Sequence, residues 1–369
     1  GLLSSLVIMV GGGLALAYTN RSQTPLNLTL RDGFAVVGIC WIVASFAGGL
    51  PFVLTSTASV TDAVFEAASG FTTTGATIFA DIEGLPHGLL MWRSLTHWIG
   101  GLGIILLSLI VLPLLGVGGM QLYRAEVTGP SPDKLTPRMQ DTALTLWRVY
   151  CLMTIVLTVL LYIAGMDWFD ALNHSIAALS TGGFSTRAES IGYYNSAAIE
   201  AVTIVLMLLG CTNFLAHLYL IRGKFGNFFQ YCEVKFQLFV CALFTPVLAV
   251  FLVLGGFAGG VGQGLRDGIF QAATALTTTG FQTVPSFAVW SSPLILLMTL
   301  LMLIGGGTGS TAGGIKQIRV CIALKSLCWS LRARITQKRT IHADALRKLD
   351  GYEYLTPESR LENLEFILL

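Results

Sequence analysis

The feature that most constrains this chain is a short polar run that occurs three times between apolar stretches. The three copies are Gly70–Thr77, Leu179–Thr186 and Leu276–Thr283. Each copy contains a glycine that follows an aspartate by 13 residues, in the pairs Asp62 and Gly75, Asp170 and Gly183, and Asp267 and Gly280. The glycines lie 108 and 97 residues apart, so the chain is predicted to contain three copies of one structural unit.

The composition places these units in a membrane. Hydrophobic residues make up 54% of the chain and charged residues 11%, whereas soluble domains carry about 25% charged residues. Apolar stretches long enough to cross a bilayer, about 20 residues each, fall at 2–18, 33–55, 92–115, 143–165, 196–221 and 233–256. A seventh begins near 292 and is interrupted at Gly305. We therefore predict an all-α polytopic membrane protein.

Each aspartate-led segment lies between two of the long helices. The pairs are 33–55 with 92–115, 143–165 with 196–221, and 233–256 with 292–331. A helix of about ten residues is too short to span the bilayer, so each segment is expected to be re-entrant. Irregular backbone at that depth must be buried in protein or line a water-filled cavity. The predicted unit is a helix, a pore helix, a filter loop and a second helix, repeated around a pore.

Each aspartate is expected to lie at the start of its pore helix. There it caps free N–H groups and matches the positive end of the helix dipole; direct contact with an ion is the alternative. The negative end of the helix then faces the polar run inside the membrane. That arrangement favours a dehydrated cation.

The distribution of charge predicts the orientation. Four connections, 19–31, 116–142, 222–235 and 316–350, hold 17 of the 22 Lys and Arg residues. By the positive-inside rule these connections are cytoplasmic, and the polar runs enter from outside a bacterial inner membrane. Exposed acids, including Asp81, Glu83 and Glu189, are then expected either to surround an outer vestibule that concentrates cations or to be ordinary solvated loop residues.

The polar runs contain the oxygen ligands that a dehydrated cation needs. Glycine adopts positive φ without steric cost and can turn successive carbonyls toward one side. Rings of such carbonyls form potassium-selective filters. The predicted filter residues are Thr72, Thr73, Thr74 and Gly75, then Ser180, Thr181, Gly182 and Gly183, and then Thr277, Thr278, Thr279 and Gly280.

With these motifs the chain resembles the membrane subunits of the TrkH/KtrB potassium uptake family, which is related to the plant HKT transporters. The resemblance rests on the three runs, on 97–103 (HWIGGLG) and on 305–316 (GGGTGSTAGGIK), and it covers essentially the whole chain. It implies four non-identical units around one pore, with one filter glycine in each. It also implies potassium as the transported ion, no organic cofactor in this chain, and a homodimer. The three glycines favour potassium over the sodium that some plant members carry.

The resemblance also implies a domain arrangement, with three units visible of an expected four. The chain ends where the fourth would begin, so a fragment is expected. The predicted segments are 1–30 (the end of an extra helix pair and a loop), 31–120, 140–225 and 232–335 for the three units, and 336–369 for a cytoplasmic connection and the start of the fourth.

The glycine-rich segment 305–314 is predicted to break the second helix of the third unit, because each glycine destabilises a helix by about 1 kcal/mol. The resemblance implies a gate loop in the pore below the filter. The alternatives are close helix packing through small residues and a phosphate loop, whose Lys-Ser or Lys-Thr ending is missing. The gate residues are Gly305, Gly306, Gly307, Thr308, Gly309, Ser310, Thr311, Ala312, Gly313 and Gly314.

A basic tail begins at Lys316 and Arg319. It is expected either to anchor the chain at the inner leaflet or to dock a cytoplasmic regulator. In the resembled family that regulator is a ring of nucleotide-binding RCK subunits, TrkA or KtrA. The sequence shows no nucleotide site of its own and no feature that indicates nucleic acid as a partner.

Several single residues allow two interpretations. Arg93 and His97, four residues apart on one helix, are expected to pack against the pore loop rather than to form a proton or ion relay. His174 and His217 are expected to be satisfied interior histidines rather than ligands, and Glu66 to pair or cap. An enzyme embedded in the membrane is the rival function, but the sequence shows no nucleophile–base pair to support it. We therefore predict a transport protein and not an enzyme.

Overall fold

The computed structural model describes residues 1–19, 30–103, 139–284, 286–335, 345–348 and 351–368. The chain divides into two compact units, Gly1–Met207 with Thr279–Pro285, and Leu208–Thr278 with Ser286–Leu369. The described residues are mainly α-helical, with one two-stranded sheet. The predicted helical class is therefore confirmed, and the sheet is an addition that the sequence did not indicate.

The first unit is built from long helices and two short, partly buried ones. In chain order its elements are α1 (Leu2–Thr19), α2 (Leu30–Leu54), α3 (Val60–Phe71), α4 (His87–Gly101), α5 (Met139–Ile163), α6 (Trp168–Leu179), a 3-10 helix (Ser190–Tyr194) and most of α7 (Ala197–Gly210). The short helix α3 packs between α2 and α4. Phe52, Ala63 and Leu89 form the core between them.

The second unit contains the third polar segment and the glycine-rich loop. Its further elements are α8 (His217–Ile221), α9 (Phe225–Gln230), α10 (Cys232–Leu254), α11 (Val261–Leu276), α12 (Ser292–Ile304), α13 (Gln317–Ile335), β1 (Ala345–Lys348), β2 (Gly351–Tyr354) and α14 (Pro357–Leu368). Helix α10 packs along α11 and contacts α12 and α13. The strands pair antiparallel, with Ala345 opposite Tyr354.

Among the described residues, four helices are long and apolar enough to cross a membrane: Leu2–Thr19, Arg31–Leu54, Ala143–Ile163 and Cys232–Leu254. Two shorter apolar helices, Ala197–Gly210 and Ser292–Ile304, are each followed by a non-helical segment. The apolar side chains of Ile155, Val156 and Val159 on α5 are exposed, as expected of a surface that faces lipid.

Two predicted spans differ from the structure. The stretch 196–221 is not one helix, because α7 ends at Gly210 and α8 begins at His217. The stretch predicted at 92–115 begins earlier, at His87, and its helix ends at Gly101. Residues 104–138 lie outside the described part of the chain, as do most of the connections 19–31 and 116–142 and residues 336–344.

Candidate functional site

The three polar runs share one backbone conformation. Each begins at the C-terminus of a short helix, α3, α6 or α11. The residue two positions before the glycine has positive φ: 54° at Thr73, 53° at Thr181 and 53° at Thr278. The glycines also have positive φ: 76° at Gly75, 81° at Gly183 and 89° at Gly280. The positive φ expected of the glycines is therefore present, and the same feature in the threonines was not predicted.

Hydrogen bonds at the helix ends fix this conformation. In the first loop Thr74 N donates to Ser69 O at 2.9 Å and Thr73 N to Gly70 O at 3.1 Å. The second loop repeats the pattern, with Gly182 N 2.9 Å from Ala177 O and Thr181 N 3.1 Å from Ala178 O. This is a Schellman motif, in which glycine usually occupies the left-handed position. Threonine in that position costs about 1 kcal/mol.

The glycines allow neighbouring loops to approach one another. A side-chain carbon on Gly75 would collide with the carbonyl oxygen of Gly182, and one on Gly183 would collide with that of Thr279. The first run therefore lies beside the second, and the second lies beside Thr279 of the third. A carbon on Gly280 would meet no described atom within 4 Å, so at that position the constraint is φ.

Two glycines of α4 bring this helix against both loops. A side-chain carbon on Gly100 would collide with the carbonyl of Phe71, at the end of α3. One on Gly101 would lie 2.7 Å from Ser180 Cβ, at the end of α6. The motif 97–103 thus supports the polar runs from behind.

The aspartates at the repeated offset do not share the capping role that we predicted. Asp62 is in the first turn of α3, but Ser59 is the N-cap and its Oγ lies 2.7 Å from Asp62 Oδ2. In α6 the N-cap is Asp167. Asp267 lies in the middle of α11, which begins earlier, at Val261. The prediction was wrong because better capping residues precede the first two aspartates and extra helical residues precede the third.

Asp170 instead holds the segment that follows the second run. Its carboxylate accepts hydrogen bonds from Thr186 Oγ1 at 2.6 Å, Tyr194 Oη at 2.6 Å, and Arg187 Nη2 at 3.0 Å. Burial lowers the pKa of Arg187, but the hydrogen bonds and charge of Asp170 outweigh this and raise it above its usual value. Arg187 therefore stays charged directly after the run.

Arg93 and Glu66 form a buried ion pair behind the first two runs. Arg93 Nε lies 2.7 Å from Glu66 Oε1, and the two side chains are 2% and 0% exposed. Arg93 Nη1 donates to the carbonyl of Ser185 at 3.2 Å. The guanidinium lies 4.2 Å from the centroid of Phe184. These contacts confirm that Glu66 pairs and that Arg93 packs against the loops.

His97 packs directly under the second run. Its ring stacks on Phe184 with centroids 4.0 Å apart, and a side-chain carbon on Gly182 would collide with it. Neither ring nitrogen has a hydrogen-bond partner among the described residues. The packing interpretation is therefore confirmed for His97 as well.

The other two histidines are buried. His174 is satisfied, with Nδ1 2.8 Å from Asp170 O and Nε2 2.8 Å from Ser185 Oγ. His217 Nδ1 lies 3.1 Å from Asn213 O, while Nε2 has no partner among the described residues. The interior interpretation is confirmed for His174 and holds for one nitrogen of His217.

The glycine-rich segment breaks its helix where predicted. Helix α12 ends at Ile304, and Gly305 has a φ of 68°. The loop closes on itself, with Gly306 N donating to Gly313 O at 3.0 Å. A side-chain carbon on Gly305 would lie 2.6 Å from Gly314 Cα. The glycines thus allow the two ends of the loop to approach each other closely.

The loop pairs with the unpredicted break that follows α7. Gly307 N donates to Cys211 O at 2.9 Å, Phe214 N donates to Gly309 O at 3.1 Å, and Thr311 Oγ1 donates to Gly210 O at 3.0 Å. Backbone groups that the broken helix leaves free are thereby satisfied, as a membrane interior requires.

Three side-chain contacts fasten the loop. Glu233 Oε1 accepts from both N and Oγ1 of Thr308, each at 3.0 Å. Lys316 Nζ donates to Ala312 O at 2.5 Å. Thr278 Oγ1 accepts from Gly313 N at 2.8 Å. Lys316 is 5% exposed, so it does not belong to the exposed basic tail in which we had placed it.

The predicted outer acids are exposed side chains in loops. Asp81 Oδ1 accepts from Gly84 N at 3.0 Å, and Glu83 Oε1 accepts from Ala188 N at 3.0 Å. Glu189 is also exposed. Both the vestibule and the solvated-loop interpretations are compatible with these positions.

The comparisons with known proteins identify the family. The model of the family described as "TrkH: Cation transport protein" matches residues 4–261 and 259–349. The chain belongs to the TrkH family. A TrkH family member transports cations, so the expectation that this chain is not an enzyme is confirmed.

TrkH relatives align along most of the chain. "Trk system potassium uptake protein TrkH" from Halomonas elongata is 41% identical over 325 residues, which is 87% of this chain and 67% of the relative. The protein of the same name from Escherichia coli K12 is 38% identical over 355 residues, 95% of this chain and 72% of the relative. The crystal structure of the potassium transporter TrkH from Vibrio parahaemolyticus is similar with a TM-score of 0.80 and 32% identity. The similarity extends over 98% of this chain and 74% of the Vibrio parahaemolyticus chain.

Proposed function

We propose that this chain takes up potassium across a bacterial inner membrane through a filter formed by the three polar runs. The observation that carries the proposal is the backbone pattern that all three runs share, with positive φ at a threonine and again at a glycine. The names of the TrkH relatives support potassium as the ion. Potassium is then the substrate.

In the proposed filter, backbone carbonyls replace the water around the ion. The approach of Gly75 to Gly182 and of Gly183 to Thr279 supports it, because only glycine leaves room for loops this close together. The filter residues are those predicted from the sequence: Thr72, Thr73, Thr74, Gly75, Ser180, Thr181, Gly182, Gly183, Thr277, Thr278, Thr279 and Gly280. Pore helices that end at the runs add the negative ends of their dipoles.

The loop 305–314 acts as the gate in this proposal. Support comes from its irregular backbone, which is held by individual hydrogen bonds to Cys211, Thr278 and Glu233. Water could take the place of these partners if the loop moved. Residues 31–120, 140–225 and 232–335 then act as three helix–pore helix–loop–helix units.

The proposed orientation places the runs outside and the basic connections in the cytoplasm. The concentration of Lys and Arg in those connections supports it. The expected assembly is a homodimer that works with a nucleotide-binding RCK regulator. The designation "Trk system" in the names of the relatives supports such a multicomponent arrangement.

The test is rescue of a potassium-uptake-deficient bacterium at limiting potassium by the full-length gene, with Gly75→Ser and Gly280→Ser beside it. Gly256→Ser is the matched control, since Gly256 has a φ of 74° in a turn outside the runs. Rescue by the parent and control, with loss of uptake or entry of sodium in the two variants, is expected. Equal rescue by all four genes would place the filter elsewhere, and an expressed parent without potassium flux would overturn the function.

A further inference from the structure

A carboxylate in the first pore helix holds the chain that leaves the first run. Glu66 lies nine residues before Gly75, and Thr77 lies two residues after it. Glu66 Oε1 accepts from Thr77 Oγ1 at 2.9 Å, and Glu66 Oε2 accepts from Ile78 N at 3.0 Å. The pore helix and the outgoing chain are thus joined behind the loop.

The second polar run and its preceding helix α6 make the same connection at the same positions with different chemistry. His174 lies nine residues before Gly183, and Ser185 lies two residues after it. His174 Nδ1 must donate to Asp170 O, because a carbonyl only accepts, so in the neutral ring Nε2 accepts from Ser185 Oγ at 2.8 Å. The repeated placement indicates a shared task rather than a chance contact.

Arg93 joins the two connections. Its Nε donates to Glu66 at 2.7 Å and its Nη1 donates to the carbonyl of Ser185 at 3.2 Å. A continuous series of hydrogen bonds therefore runs from Thr77 through Glu66, Arg93 and Ser185 to His174. We name this series the filter brace. All of its members lie in the first compact unit.

We propose that Glu66, Arg93 and His174 are positioning residues that set ion selectivity through the filter brace. This inference rests on the proposed filter function. Sodium is smaller than potassium, so in the cavity-size account of selectivity a filter rejects it while the oxygens of neighbouring loops are held apart. If the chain that follows each glycine, at Thr77 and Ser185, is no longer held, those oxygens can move closer together around the smaller ion. Selectivity is then lost before folding or transport is lost.

The experiment measures uptake of rubidium, as a potassium tracer, and of sodium by cells that carry the full-length gene. The variant Glu66→Gln keeps the size of the side chain but replaces one accepting oxygen with an NH₂ group. That group is itself a donor, so it cannot accept the hydrogen bonds that the carboxylate of Glu66 accepts. Asp62→Asn is the matched control, because this carboxyl lies one turn earlier on α3 and contacts Ser59 instead of the outgoing chain. Since a misdirected hydrogen bond to a charged group changes an equilibrium about tenfold, the potassium-to-sodium ratio should fall about tenfold in Glu66→Gln and not in Asp62→Asn.

A second pair of variants tests the continuity of the brace. Ser185→Ala removes the hydroxyl that His174 holds, and it should lower the ratio in the same direction. Combined with Glu66→Gln, it should lower the ratio by less than the product of the two single effects, because coupled residues are not additive. Effects that multiply would show two independent supports and overturn the continuous brace.

Membrane abundance and Gly75→Ser separate the possible failures. If Glu66→Gln lowers the amount of protein in the membrane but leaves the ratio per molecule unchanged, its role is structural and the inference is overturned. If Gly75→Ser changes the ratio and the brace variants do not, the proposed filter stands and the brace fails. If Gly75→Ser also leaves the ratio unchanged, the proposed filter fails, and the brace fails with it.

Discussion

The amide of Gly313 donates a 2.8 Å hydrogen bond to the hydroxyl of Thr278. Gly313 belongs to the glycine-rich loop, and Thr278 is the left-handed residue of the third polar run, with a φ of 53°. A displacement of the loop must therefore break a contact with the run. In the proposed mechanism this bond joins the gate directly to the filter.

We expect Thr278→Val to raise the rate of potassium uptake. Valine has nearly the same shape but cannot accept the hydrogen bond from Gly313, so the closed loop loses about 1 kcal/mol. That change corresponds to roughly a fivefold shift toward the open loop. Rubidium uptake per molecule in the membrane measures it. Thr299→Val is the control, because the hydroxyl of Thr299 donates to Ile295 of its own helix, and an unchanged or slower rate in Thr278→Val would contradict the coupling.

We expect Glu233→Ala to leave the gate loop poorly held. The substitution removes the acceptor for Thr308 N, Thr308 Oγ1 and Tyr231 Oη, all within 3.0 Å. Each buried donor left unpaired costs about 1–3 kcal/mol, so the purified protein should unfold at a lower temperature. Uptake should also stop responding to the proposed RCK regulator. Thermal unfolding and rubidium uptake are the measurements.

Tyr231→Phe provides the comparison for this cluster, since it removes one donor and leaves the contacts between Glu233 and Thr308 in place. It should cost less stability than Glu233→Ala and keep normal gating. Equal effects of the two variants would mean that the cluster supports the fold without holding the loop.

We expect alanine to be less tolerated at Gly75 than at Gly280. Both residues have positive φ, which costs an L-residue about 1–2 kcal/mol. Only at Gly75 does the added carbon also collide with a neighbouring loop, at the carbonyl of Gly182. Gly75→Ala should therefore abolish rescue at limiting potassium, and Gly280→Ala should reduce it. Rescue that is lost equally in both would show that φ alone matters.

The repeated spacing was sufficient to predict where the three short helices end. A polar run that follows an apolar segment of helical length indicates a C-terminus, and α3, α6 and α11 do end there. Their starts were less predictable, because capping depends on which residue adopts the N-cap conformation. Ser59 and Asp167 fill that position, and no spacing rule distinguishes them from the aspartates three residues later.

The break after Gly210 could not be predicted from the sequence. Residues 211–216 contain neither proline nor glycine, the two residues that destabilise a helix most. The break is stabilised by partners about 100 residues later, Gly307, Gly309 and Thr311. The positive φ of Thr73, Thr181 and Thr278 was missed for a related reason, since tertiary packing overcomes an unfavourable local conformation.

The backbone pairing between the broken helix and the glycine-rich loop has a consequence for opening. Within the membrane, the carbonyls of Gly210 and Cys211 accept from the loop, and no lipid group can replace those donors. The loop can move away only if water enters to solvate the carbonyls that it leaves. In the proposed gate, opening is therefore a hydration event as much as a movement of the chain, and agents that lower the activity of water should keep the loop in place.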